Sequence, residues 1–217
     1  MPSEPVENYL KNIYKLQESG KTATTTSLSE KLDISPPSVT EMIKKLAEEG
    51  SVAYTPYRGV ELTTAGRKQA LRIIRRHRLW ELFLAEVLDY PWDEIDEEAE
   101  RLEHFTSERL EERIDTVLGH PRRDPHGDAI PSSSGEIEEV SHISLAEVSP
   151  GETVAVTRVS DSNPEILQHA AKLGILLKRK IKVKERVEFD GSMRVEVAKK
   201  EQFVSSKLAK NIYVEEV

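Results

Sequence analysis

Glu100, Glu103 and His104 stand at i, i+3 and i+4, a spacing that puts two carboxylates and an imidazole on one face of a helix. Oxygen and nitrogen donors placed this way can converge on a divalent cation. An ordinary solvated face of an acidic helix has the same spacing, so spacing alone leaves both readings open. A second set is His77 and Glu81, at i and i+4, with Asp124 and His126 on a Pro-rich loop. Asp161, at the end of an expected strand over 153–159, could close it. The plainer reading is that His77 belongs to the basic run Arg75-Arg76-His77-Arg78 facing DNA or solvent, and that Asp124 only shapes a turn. The chain has no cysteine, which rules out thiolate zinc sites, iron-sulfur clusters, disulfides and cysteine nucleophiles. There is no His-Glu-x-x-His helix, obvious nucleophile or Gly-rich phosphate loop. The chain therefore reads as a non-enzyme rather than a metal-dependent hydrolase.

The elements that carry these residues follow from periodicity. A stripe of Ile95, Ala99, Leu102 and Leu110 is expected to pack inward, which puts the Glu100 cluster at the border of core and solvent. Upstream, Ser27-Leu28-Ser29-Glu30 has capping-box spacing and opens a short helix ending near Asp33. Ser35-Pro36 restarts a helix with Ser as N-cap and Pro at the first helical position. Val39, Ile43 and Leu46 give this second helix an inner face. Pro37, Ser38, Glu41, Lys44, Lys45 and Glu48 lie on the outer face, and Gly50 stops it. Two short helices joined this way can present small polar side chains to base edges in the major groove. Val52 and Tyr54, then Val60 and Leu62, alternate as a hairpin around Thr55-Pro56-Tyr57-Arg58-Gly59, with Arg58 at the tip placed for a phosphate or the minor groove. A similar helix pair and hairpin can also serve a purely structural role.

Charge is distributed unevenly. The net charge is -8, yet residues 1 to 78 carry 13 basic and 9 acidic side chains, net +4. Residues 79 to 140 carry 5 and 19, net -14, and residues 141 to 217 carry 13 and 11, net +2. The first third can approach a polyanion, while the acidic middle attracts cations or simply solvates its helices. With 217 residues, 37% apolar and 32% charged, and a mean hydropathy of -0.51, a soluble globular protein is expected. No apolar run is long enough for a membrane span, and the first residues lack the pattern of a signal peptide. A cytoplasmic location is expected.

Several motifs together resemble the metal-dependent repressors of the diphtheria toxin repressor and manganese transport regulator family. They are Tyr9-Leu10-x-x-Ile13-Tyr14, Leu28-Ser29-Glu30-Lys31-Leu32, Ser35-Pro36-Pro37-Ser38-Val39-Thr40, Tyr57-Arg58-Gly59-Val60-Glu61-Leu62-Thr63 and Gly66. His77-Arg78-Leu79-x-Glu81, Ala99-Glu100-Arg101-Leu102-Glu103-His104 and Asp124-Pro125-His126-Gly127 extend the match. It covers residues 5 to 131 with high specificity and 144 to 217 more weakly. The resemblance implies a mainly α protein with small β elements in three parts: a winged helix-turn-helix domain over 1–73, a helical dimerisation and metal-binding domain over 74–142, and an SH3-like β-barrel over 143–217. It implies a homodimer on palindromic double-stranded operator DNA, with Ser35, Pro37, Ser38 and Thr40 near bases or phosphates and Lys44 and Arg58 assisting. It also implies that Asn8 completes the site of Glu100, Glu103 and His104.

Asn8 departs from the family pattern, since manganese-type relatives have Asp there and iron-type relatives have Met. Glu100 replaces the Cys of iron-type members and Asp124 the Cys of longer members, so both sets become oxygen-rich. Manganese is accordingly the expected ion, with Fe2+ the alternative and Zn2+ or Co2+ able to substitute in vitro. Lys11 stands where short manganese-type members have Glu, which argues against their paired two-metal arrangement. In the last third, strands are expected over 153–159, 180–189, 192–197 and 211–215, with Asp190-Gly191 as a turn and a helix from Asn163-Pro164 to Gly174. The expected function is a manganese-dependent repressor of metal-uptake genes, with no membrane partner and no small-molecule substrate. The rivals are an iron-responsive repressor of the same family and a winged-helix regulator that senses a small organic ligand.

Overall fold

The computed structural model describes residues 3–56, 58–138, 143–161 and 163–217; Tyr57 of the expected wing turn lies outside them. The chain forms two compact units, Met1–Trp80 with Glu100–Val117 and Ile130–Glu138, and Glu81–Ala99 with Leu118–Ala129 and Glu139–Val217. The fold is mainly helical at first with one small sheet, followed by a β-rich C-terminal part.

In the first unit, helix α1 (Glu4–Glu18) buries Val6, Tyr9, Leu10, Ile13 and Tyr14 on one side. Helix α2 (Thr25–Leu32) follows and ends on Asp33, whose positive φ turns the chain. The expectation that Ser27 caps this helix is corrected: Thr24 is the N-cap and Ser27 is three residues inside, each hydroxyl bonding the other's backbone N–H. A serine can fill either role in a capping box, so the shorter pattern at Ser27 was a decoy. Helix α3 (Pro36–Glu48) starts where expected, with Ser35 as N-cap, and Val39, Ile43 and Leu46 are fully buried.

Strands β1 (Val52–Thr55) and β2 (Gly59–Leu62) form an antiparallel wing, and Ala23 bridges Val60 at its edge. The long helix α4 (Thr64–Leu88) begins against the wing base: Thr63 Oγ1 donates to the carbonyl of Gly50 and accepts from the Gly66 N–H. Gly66 is required there because a Cβ would stand 1.9 Å from the Ser51 carbonyl oxygen.

Helices α5 (Ile95–Glu103) and α6 (Glu108–Val117) carry the acidic middle. Ile95 and Ala99 are fully buried as expected, but Leu102 is only half-buried and Leu110 is 42% exposed. The inward stripe ends at α5 because the chain turns at His104 and Phe105, which breaks the helical phase before Leu110.

In the second unit, a six-stranded antiparallel sheet has the order β3-β8-β4-β5-β6-β7. Its strands are β3 (Ile143–Ser144), β4 (Thr153–Val159), β5 (Lys180–Arg186), β6 (Met193–Val197), β7 (Lys200–Val204) and β8 (Ile212–Glu216). Helix α7 (Pro164–Lys172), capped by Asn163, and the short α8 (Ser206–Ala209) cover Val154, Val156, Ile181, Val183, Val195 and Ile212 in one core. The expected strand to residue 189 stops at Arg186, since Glu188, Phe189 and Asp190 form the turn and Phe189 is 98% exposed. Strand β7 was not anticipated. The two-residue turn at Ala198 and Lys199 has positive φ at both positions without Gly or Asn, so no turn signal marks it.

Candidate metal centre and DNA-binding face

Helix α1 supplies Glu7, Asn8 and Lys11, α4 supplies Arg76 and His77, and α5 with its following turn supplies Glu100, Glu103 and His104. All eight belong to the first unit. Glu103 is at the centre and has no exposed surface. Its Oε2 lies 2.6 Å from His77 Nδ1 and its Oε1 2.5 Å from Lys11 Nζ. Lys11 also reaches Glu100 Oε2 at 2.6 Å. Burial pushes the Glu103 carboxyl up, but the hydrogen bond and charge of His77 and the ammonium of Lys11 outweigh it and hold the group below its usual value. Ligand atoms of His77, Glu100 and Glu103 lie within 4.8 Å of one another.

His104 Nδ1 bonds Glu7 Oε2 at 2.7 Å, which turns its Nε2 to within 3.3 Å of Glu103 Oε1. Glu7 is the functional residue that sequence reasoning missed. Its partners Arg76 and His104 are distant in the sequence, and only its place beside Asn8 pointed to it. Glu7 in turn faces Arg76 at 3.6 Å, and Arg76 and Arg75 both bond Glu111 on α6. Two buried atoms of this centre have no hydrogen-bond partner among the described residues, Asn8 Oδ1 and His104 Nε2. Buried polar atoms ordinarily find partners, and an amide oxygen, an imidazole nitrogen and carboxylates are donor types that fit a divalent cation.

Part of the second set comes together as a buried group. Glu81, Asp124 and His126 offer ligand atoms within 4.8 Å of one another, all three buried and all in the second unit. His77, assigned to this set from the sequence, directs its Nδ1 to Glu103. Asp124 Oδ1 accepts from the N–H groups of His126 and Asp128, which fixes the loop. His126 Nε2 bonds the Trp92 carbonyl at 2.8 Å, its Nδ1 faces Glu81 Oε1 at 3.5 Å, and that Nδ1 is buried without a hydrogen-bond partner among the described residues. Burial lowers the pKa of His126, but Glu81, Asp124, the Trp92 carbonyl and Asp161 outweigh it and bring it above its ordinary value. Asp161 thus acts on His126 through its field, while remaining outside the close group of three. The loop reaches β4 through Gly127, whose φ is +94° and whose Cβ would meet the Thr157 carbonyl oxygen at 2.1 Å.

The start of α3 and the wing carry the side chains read as DNA contacts. Ser35, Pro37, Ser38 and Lys44 are exposed, as is Arg58 beside the wing, and Thr40 is half-buried with Oγ1 bonded to the Pro36 carbonyl. Ser35 and Ser38 share a hydroxyl bond of 2.9 Å. These exposed side chains offer hydroxyls, an ammonium and a guanidinium to a nucleic acid.

Comparison with known proteins agrees with both features. The N-terminal DNA binding domain of iron dependent repressors matches residues 1–60, and their metal binding and dimerisation domain matches 63–132. An iron-dependent repressor IdeR of Mycobacterium bovis is 34% identical over 160 residues, 70% of each chain. The chain belongs to the iron-dependent repressor family. It also carries a FeoA domain over residues 143–216. An IdeR of Mycobacterium leprae is 38% identical over 128 residues, 59% of this chain, and the match spans 56% of that relative. Among solved structures of the family, a manganese-dependent transcriptional repressor in complex with manganese is 40% identical with a TM-score of 0.91, covering 98% of this chain and 100% of that one. The manganese regulator SloR is 34% identical, with a TM-score of 0.80 and full coverage of both chains. Members of this family are metal-dependent transcriptional repressors, and no described helix of this chain is long and apolar enough to cross a membrane.

Proposed function

We propose that this protein is a manganese-responsive repressor that binds palindromic operator DNA as a homodimer, organised as the three domains read from its sequence. The observation that carries the reading is the pair of buried atoms without a hydrogen-bond partner among the described residues, Asn8 Oδ1 on α1 and His104 Nε2 beyond α5, the latter 3.3 Å from Glu103 Oε1. Manganese supplies a divalent charge and accepts oxygen and nitrogen donors. Asn8, Glu100, Glu103 and His104 would hold it, while Glu7 fixes the His104 ring by bonding its Nδ1. His77 orients Glu103 from α4.

Because Asn8 lies on α1, whose apolar face packs in the same core as α2, α3 and the wing, ligation at Asn8 restrains the DNA-binding elements. A coupling of about 1 to 3 kcal/mol is typical of such a switch. In the dimer, the two α3 helices would then stand one turn of DNA apart, about 34 Å. Glu81, Asp124 and His126, with Asp161 nearby, form the second centre of this reading. The donor set has no sulfur ligand, which favours manganese over softer ions by chemistry rather than by intrinsic affinity.

The test is fluorescence anisotropy of operator DNA with Mn2+, Fe2+, Co2+ and Zn2+ added separately to the metal-free protein. Activation by Mn2+ in the low micromolar range or below is expected. Activation by Fe2+ alone would make the protein an iron-responsive repressor, and metal-independent binding would favour a sensor of an organic ligand.

A further inference from the structure

Lys11 is among the largest fully buried side chains of the protein, and it occupies the middle of the first centre. Its ammonium lies 2.6 Å from Glu100 Oε2 and 2.5 Å from Glu103 Oε1, oxygens that the metal reading also needs. Resting on that reading, we propose that Lys11 is a tethered competitor: its ammonium holds the Glu100 and Glu103 oxygens in the metal-free chain, and a divalent ion must displace it. Lys11 thereby sets the concentration threshold of the sensor and limits this centre to one ion.

Charge balance supports the displacement. The ligand carboxylates Glu100 and Glu103 carry two negative charges, and the Lys11 ammonium in contact with both offsets one of them. A divalent ion added beside Lys11 would leave a net positive charge in a largely buried site. With Lys11 expelled, the ion is neutralised. An uncompensated buried charge is strongly disfavoured, so the second outcome prevails.

The route out is also present. Glu103 is fully buried, but the Glu100 side chain is 42% exposed, so the ammonium can follow the Glu100 side to water. Lysine suits this role, being a compact charge on a flexible four-carbon stem. Since the same ammonium must leave whichever ion enters, Lys11 shifts the thresholds of all ions together and leaves their order unchanged.

The experiment measures metal affinity of the full-length chain carrying His126→Gln, so that uptake reports on the first centre. Mn2+ and Cd2+ are titrated against a fluorescent chelator for Lys11→Met, Lys11→Gln and Lys11→Arg. The two neutral variants are expected to bind tighter than the parent by roughly one to two orders of magnitude, the range over which a nearby opposite charge shifts a carboxylate. Lys11→Arg stays close to the parent, and the gain is the same factor for both ions.

A purely structural lysine would give the opposite result, weaker binding in the neutral variants. That outcome, or an unchanged affinity, overturns the proposal. The parent itself provides a check that needs no Lys11 variant: the 15N resonance of the Lys11 ammonium should leave its buried position as one equivalent of Cd2+ is added. A resonance that stays in place overturns the proposal. Glu103→Gln separates the two levels. If it retains metal affinity, the proposed centre is wrong; if it loses affinity while the Lys11 variants show no gain, only the role of Lys11 fails.

Discussion

His77 Nδ1 lies 2.6 Å from Glu103 Oε2, with both side chains buried, and this bond ties α4 to the C-terminal end of α5. Glu103 faces Lys11 with its other oxygen, so one carboxylate links three helices. A buried charge held by two partners is costly to remove, and that determines which substitutions at this centre are informative.

Glu103→Ala should abolish metal-dependent operator binding and also destabilise the metal-free protein by about 3 to 5 kcal/mol, because it strands Lys11 without its buried partner. His104→Ala should abolish the metal response at a smaller cost in stability. Urea unfolding without metal, run beside operator anisotropy with Mn2+, checks both. A His104→Ala protein with a normal metal response would displace His104 from the ligand set.

Asn8→Asp should shift the Mn2+ activation midpoint to lower concentration. The Asn8 Oδ1 is buried without a hydrogen-bond partner among the described residues, so a carboxylate there adds charge to a donor position that the proposed centre uses. Operator anisotropy with wild type and variant side by side reads the shift, and an unmoved midpoint would mean that the link from metal to α1 runs through another residue.

Arg58→Ala should weaken binding to cognate and random DNA alike and lower the salt slope by about one, the behaviour of a phosphate contact. A Ser38→Ala change should cost more on cognate DNA, since the exposed hydroxyl opens α3 beside Ser35. Equal losses for Ser38→Ala on both DNAs would remove it from the base-reading positions.

The second set predicts a pH dependence. The folded pKa of His126 is raised above its ordinary value of 6.5. Its contribution to the stability of the metal-free protein is therefore fully present below about pH 6.5 and is lost as the pH rises through the raised value. Urea midpoints between pH 6 and 8.5 should fall less steeply in His126→Asn than in wild type. Metal uptake should run the other way and strengthen as the pH rises, because the imidazole must lose its proton to ligate.

Gly127→Ala should destabilise the protein by about 3 kcal/mol, since the new Cβ meets the Thr157 carbonyl and the positive φ adds strain. Thermal unfolding checks this, and a loss below about 0.5 kcal/mol would show that the loop can move off β4.

Local signals were enough for much of this protein. Ser35 and Pro36 start α3, the 3.6-residue phase of Val39, Ile43 and Leu46 sets its buried face, and Glu100, Glu103 and His104 share a face by helical geometry alone. These features depend on neighbours within a few residues, which the sequence displays directly. The pairing of Glu7 with His104 spans 97 positions and that of Lys11 with Glu103 spans 92. The tertiary structure alone decided that His77 Nδ1 turns to Glu103 and that Glu81, Asp124 and His126 come together as a buried group. Such choices follow from which helices pack together and how buried charges find compensation, a balance struck across the whole core rather than along any one segment.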